Sequence, residues 1–353
     1  MYKIICISAL LSCIVLRSQG QQSYAKPDYS VKFLSYFGIG SESVQKKSTL
    51  GYNAAYYALL QRKFPEITSQ GIGVPVHFYN EVLKSSGADK LIAQFAKEQD
   101  NLGDEGKAKR LRTIQNTIKK AKLPQSLINQ FNNAYEEFYA GKKIMLSASP
   151  NHKTLGKGFA FSPKGTYTTI TDKKSFASDV LQIYASFWEE NSIIDLKKNG
   201  LAKVVEQLAI GILITEYFEK PAITGNAESC YYAPSSNSLQ KNPSIYITSL
   251  KEGCASKHDE WLRFKQFDSK WYQNLNSPEL QQPKECKVFL DNATLTPIIR
   301  QLQQVLSTLD PGIRKRSKLE QNDNIGVDFC ILKTKTGYRL QLLELRWYAQ
   351  PSK

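Results

Sequence analysis

The sequence predicts a mixed fold, α/β or α+β, in which helices and strands alternate and the chain closes on an antiparallel strand pair. Three observations carry this. Apolar residues recur at helical spacing in 50–62, 88–122, 176–190 and 296–309. Apolar runs such as GIGV (71–74), IMLSAS (144–149) and LAIGILIT (208–215) are too short for helices and read as buried strands. Finally, IGVDFCIL (325–332) and YRLQLLELRWY (338–348) flank a turn at 333–337. With 353 residues, 41% of them hydrophobic and 11% aromatic, the chain can bury a sizeable core.

Taken in order, Lys3 precedes an apolar run over 4–16, and Ser18-Gln19-Gly20 supplies small residues after it. That pattern reads as an export signal over 1–20, with a mature chain starting near Gln21 in the periplasm or outside the cell. Residues 21–30 are a polar leader, and 31–37 a short strand or helix start. The helix over 50–62 stops at Pro65. Residues 71–78 (GIGVPVHF) read as extended and lead into a helix near 79–84. Two charged helices fill 88–122, with apolar stripes at Leu91, Ile92 and Phe95, then Leu111, Ile114 and Ile118. Gly103 and Gly106 are read as breaks. Pro124 looks like the first residue of a helix reaching Phe138.

A strand over 144–151 then ends in a Ser-rich loop, followed by a Gly/Lys loop (154–161) and a Thr-rich strand (165–170). An amphipathic helix (176–190) and the strand 208–215 come next. Residues 225–241 read as a polar loop, and 255–285 as an excursion between Cys254 and Cys286. The helix over 296–309 stops at Asp310-Pro311-Gly312. The expected organisation is 21–200 and 201–353. Beyond the leader, no stretch is long and apolar enough to span a bilayer.

Four of the six cysteines lie beyond the leader: Cys230, Cys254, Cys286 and Cys330. In an oxidising compartment they permit up to two disulfides, in three connectivities. Cys254 and Cys286 are expected to pair, because they bracket the excursion. Cys330, flanked by apolar strand residues, reads as a buried thiol.

The formal charge of +15 falls to +13 without Lys3 and Arg17, which favours anionic partners. Basic residues cluster at Arg314, Lys315, Arg316 and Lys318, and at Lys119, Lys120 and Lys122. Neither cluster interleaves aromatics, so a single-strand nucleic-acid platform is not indicated. Solvated faces that confer solubility are the favoured reading of such clusters. GxSxG, P-loop and HExxH patterns are absent.

The order of these motifs resembles the ATP-binding domain of pyruvate phosphate dikinase and phosphoenolpyruvate synthase, over most of 50–348. The resemblance implies an ATP-grasp-like fold of two subdomains with a nucleotide-type cleft between them, and ATP and Mg²⁺ as cofactors. That family places a Gly-Gly-Lys near the first helix, with the lysine on the phosphates. The matching residues here are Gly51-Tyr52-Asn53, and neutral Asn53 cannot offset phosphate charge. Val74, Pro75 and Phe78 resemble the family's Val-Pro-x-Gly-Phe turn. An Arg-Ser-Ser in the family is similar to Ser147-Ala148-Ser149, so Ser147 replaces a bidentate arginine. Asn151, His152 and Lys153 lie where the family has an acidic pair. Gly158-Phe159-Ala160-Phe161 resembles the family's lid, with Lys153 and Lys157 as compensating cations or merely solvated loop lysines. Further arginine positions match Asn191 and Leu196.

Glu206 and Gln207 fall near the polar contacts to the adenine, or simply flank a buried strand. Val327-Asp328-Phe329 and Leu343-Glu344-Leu345-Arg346 resemble the family's metal and phosphate strands. Glu344 and Arg346, two apart, share a strand face. Asp328 joins Glu344 as a metal pair with Arg346 on the γ-phosphate, unless the three form a surface salt bridge. The resemblance therefore implies a degenerate module that binds a nucleotide or another anionic small molecule, or a scaffold for a protein partner. A surviving ATP/Mg-dependent phosphotransferase is the alternative. A basic envelope protein that binds anionic glycan or nucleic acid is another.

Overall fold

The computed structural model of the chain describes residues 24–152, 168–189, 205, 207–219, 223–228, 244–249, 262–267, 270–273, 292–309 and 323–349. It divides into two compact units, 1–58 with 71–217 and 59–70 with 218–353. This division differs from one at 200/201, because the strand following 208 pairs inside the first unit's sheet.

In the first unit, five strands are hydrogen-bonded in the order β1 (Ser35–Tyr36), β2 (Gly71–Val74), β5 (Ile210–Glu216), β3 (Ile144–Pro150) and β4 (Thr168–Thr171). Every pairing is antiparallel, which places the fold in the α+β class rather than the parallel α/β class. Alternation splits the residues of this sheet between two faces. Ile72, Val74, Ile144, Leu146, Ala148, Ile210, Ile212 and Ile214 join the main apolar core. Helices α3 (Val76–Ser86), α4 (Ala88–Glu98), α5 (Asp104–Lys119), α6 (Gln125–Phe138) and α7 (Phe176–Ser186) supply its other half. The expected stripes Ile92 and Phe95, and Leu111, Ile114 and Ile118, are buried there.

The opposite face carries Gly71, Gly73, Ser147, Ser149 and Gly211, with Leu213 as its apolar member. Against it lie α1 (Lys47–Leu50) and the start of α2 (Tyr52–Lys63). Leu50, Ala54, Tyr57 and Ala58 pack with Phe37 and Leu213.

Three of the boundaries that differ from the sequence reading have a clear physical cause. α3 begins at Val76, because Pro75 is extended, lacks an N–H for the sheet ladder and caps the helix instead. Gly106 lies inside α5 while Gly103 alone starts it, since Asp104 and Glu105 favour the positive end of the helix dipole. Pro124 stands at the cap of α6 rather than inside it.

In the second unit, six antiparallel strands run in the order β11 (Gly337–Ala349), β10 (Asp323–Thr334), β6 (Ile223–Glu228), β7 (Ser244–Ser249), β8 (Leu262–Phe267) and β9 (Lys270–Gln273). The polar loop expected over 225–241 thus begins within a strand, and the expected excursion contains two strands. These segments (ITGNAE, LRFKQF, KWYQ) lack a clean apolar alternation, so their strand state comes from ladder partners. Helix α8 (Asn292–Leu309) starts four residues before the expected 296 and carries Pro297 inside. Its buried residues Ile298, Ile299, Leu302, Val305 and Leu306 form one stripe, which faces β6, β10 and β11.

Among the described residues no helix is long and apolar enough to cross a membrane.

Candidate functional site

The phosphate-binding end that the resemblance implies maps to the start of α2, in the first unit. Asn53 Nδ2 donates to Ala148 O at 2.7 Å, and Ala54 N–H donates to Ser149 Oγ at 2.9 Å. Ser149 thereby does from a neighbouring strand what an N-cap side chain does from within the helix: it satisfies an orphan N–H of the first turn. Asn53, Ser147 and Ser149 are all buried. Gly51 makes this contact possible. Its φ is +77°, and a Cβ there would lie 1.7 Å from Ser149 O. Gly211, opposite Ser149 on β5, is similarly confined, with a hypothetical Cβ 2.3 Å from Leu50 O. Backbone therefore rests on backbone, and the side chains at the helix start are engaged with β3. Lys47 sits over the rings of Tyr52 and Tyr56, 4.9 Å from each centroid.

The end of β3 forms a second knot. Asn151 Nδ2 donates to Ala25 O and Gln207 O, both at 3.0 Å, and its Oδ1 accepts Ala209 N–H at 2.9 Å. A buried amide offers two donors and one carbonyl, and all are used. Gln207 is exposed, and its carbonyl also accepts from Tyr24 at 3.3 Å. His152 is buried beside it, bridged to Tyr24, and desolvation pulls its imidazole down to about 4. The position matching the family's acidic pair thus holds a tie between 24–25, β3 and 207–209.

The residues that the resemblance implies for a metal and the γ-phosphate map to the second unit. Asp328 on β10 stands directly opposite Glu344 on β11, and Gly326 opposite Arg346. Asn226 on β6 flanks Asp328 from the other side. Asp328 is half-buried and Glu344 buried. A register shift between Asp328 and Phe329 sets this alignment. Leu340 and Leu342 face Ile331 and Phe329, while Leu345 faces Val327, so Leu343 is the extra residue. Were Leu343 paired in the ladder instead of bulged, strict alternation would put Glu344 on the apolar face beneath α8. Farther along, Gln341 stands opposite Cys330. Cys330 is a buried free thiol pushed up to about 12 by desolvation, with Arg339 pulling the other way.

Two adjacent carboxylates suit Mg²⁺, a hard ion held by one or two carboxylates and completed by substrate phosphates. Among the described residues, no group of three or more His, Cys, Asp and Glu is placed to hold a metal ion. The start of α2 does not fit a triphosphate, since Asn53 is neutral and its amide is engaged by Ala148. Lys153, Lys157, Gly158, Asn191, Leu196 and Glu206 lie outside the described residues, as do Cys230, Cys254, Cys286 and the Arg314–Lys318 cluster. Lys119, Lys120 and Lys122 are exposed at the end of α5.

Sequence reasoning missed Gly211 and the tying role of Asn151. The signal for the glycine was the alternation of small residues on two strands, SAS and IGI, which marks a face open to close backbone approach. Nothing in the sequence singled out the amide.

No family model and no curated protein matches the chain. Among solved structures, D-alanyl-alanine synthetase A from Vibrio cholerae O1 biovar eltor is similar at 12% identity, with a TM-score of 0.24. The match covers 63% of this chain and 47% of that one. At that score the likeness carries no weight for fold or chemistry.

Proposed function

We propose that this chain is an exported, degenerate ATP-grasp-like domain of the pyruvate phosphate dikinase type. It serves as a nucleotide- or anion-binding or scaffold module, with weak or absent catalysis. The observation that carries this reading is the start of α2. Where the family would place a lysine on the phosphates, Asn53 holds Ala148 O, and Ser149 takes the helix N–H that would otherwise face an anion. Charge-assisted contacts are worth about 1.5–3 kcal/mol each, so losing several weakens binding by orders of magnitude.

A thermal-shift titration with ATP, ADP and AMP, with and without Mg²⁺, tests this, because a ligand that binds only the folded state raises the melting temperature. The expected result is little or no shift for all three. Micromolar ATP affinity with turnover, lost in Asp328→Asn or Arg346→Ala, would overturn it. The latter outcome belongs to a second reading, an ATP/Mg-dependent phosphotransferase, which is favoured by the alignment of Asp328 with Glu344. Export rests on the leader over 1–20. Mass spectrometry of the native protein should find a chain beginning near Gln21, and an intact Met1 in a cytosolic fraction would defeat that part.

A further inference from the structure

A cavity of about 360 Å³ opens in the first unit between α3 and α4, a size suited to a small molecule. Its floor is apolar, with Leu83, Ile92 and Leu208. Five side chains with polar groups line it: Asp89, Lys97, Asn80, Tyr79 and Tyr29. Asp89 Oδ1 is buried with no hydrogen-bond partner. Such an acceptor is costly unless something donates to it. Tyr79 is buried, and its hydroxyl oxygen accepts from Trp188 Nε1 at 3.1 Å, which leaves the phenolic proton to point elsewhere.

Asp89 and Lys97 lie in one helix, eight residues and so about 12 Å of helix rise apart. The lysine side chain leans back toward the N-terminus and shortens that span. The two line the same cavity, yet among the described residues neither makes an ion pair. Elsewhere in this unit Arg110 pairs with Glu98, Lys142 with Glu216 and Lys173 with Glu136. A carboxylate at one end, an ammonium at the other and an apolar floor between them complement a molecule of reversed polarity.

We propose that this cavity binds a small dipolar ligand, with an ammonium group donated to Asp89 and a carboxylate held by Lys97 across an apolar stem. Asn80 and the Tyr79 hydroxyl orient it by hydrogen bonding. The site is independent of the nucleotide reading, since none of its lining residues belongs to the start of α2 or to β10 and β11.

The test uses 6-aminohexanoate as the probe on the full chain, with hexylamine and hexanoate as single-charge controls, read by calorimetric titration. 6-Aminohexanoate should bind at least about tenfold more tightly than either control, since each end adds a charge-assisted contact. Asp89→Asn should erase its advantage over hexanoate. Lys97→Gln, at an exposed position that does not threaten folding, should erase its advantage over hexylamine. Absence of binding, equal binding of all three probes, or unchanged affinity in both variants would overturn the proposal.

Discussion

At the scale of single residues, three positions that suggest phosphate chemistry in the sequence are ties in the fold. Ser149→Ala leaves the N–H of Ala54 buried without an acceptor. It should lower unfolding free energy by about 1–3 kcal/mol in urea titrations. Asn151→Ala should cost more than Ser149→Ala, because it strands two carbonyls and an N–H together. His152 gives a pH signature. Its folded-state value of about 4 lies below the ordinary 6.5, so the unfolded chain binds the extra proton between those values. The stability linked to the neutral ring is complete above about 6.5 and drains away as pH falls toward 4, on the order of 3 kcal/mol in all. Urea midpoints measured across that window should fall less steeply in His152→Phe than in the parent protein. Cys330 should resist alkylation in the folded protein at mildly alkaline pH and react once urea exposes it, since its thiol is both buried and held protonated.

At the scale of elements, the last strand shows what a pattern can and cannot specify. The run LQLLELRW contains adjacent leucines at 342 and 343, which break a period of two. The break is legible as a phase slip, and the structure realises it as a bulge that keeps Glu344 level with Asp328. Deleting Leu343 should remove the bulge and leave strict alternation, with Leu340, Leu342 and Leu345 still on the face covered by α8 and Glu344 still level with Asp328. An unchanged pattern of limited proteolysis of the second unit is therefore the expected outcome; loss of its protection would mean that the bulge itself is needed. The helices were legible because their apolar stripes repeat at helical spacing, as in Leu111, Ile114 and Ile118. Their starts were less so, since the first turn at Val76 depends on Pro75 leaving the ladder. Strands such as KWYQ were not legible, because a ladder supplies their reason for being extended and a single segment does not display its partner.

At the scale of the whole molecule, a charge of +15 attracts any polyphosphate without a dedicated site. If that field is all that draws ATP, then ATP and inorganic tripolyphosphate should bind alike, and both should weaken together as salt is added. A preference for ATP that survives salt would point to a formed nucleotide site instead. Composition and periodicity by themselves determined that the chain mixes helices with strands, that its core is large, and that the last two strands form a hairpin. Those properties follow from local spacing and burial, which a linear pattern records. Only the tertiary structure decided that every described strand pairing is antiparallel, that Gly51 and Gly211 bring a helix start onto a sheet, and that Asn53 and Ser149 serve that junction. Such contacts join residues nearly a hundred positions apart, and the sequence holds the donors and acceptors without saying which of them meet.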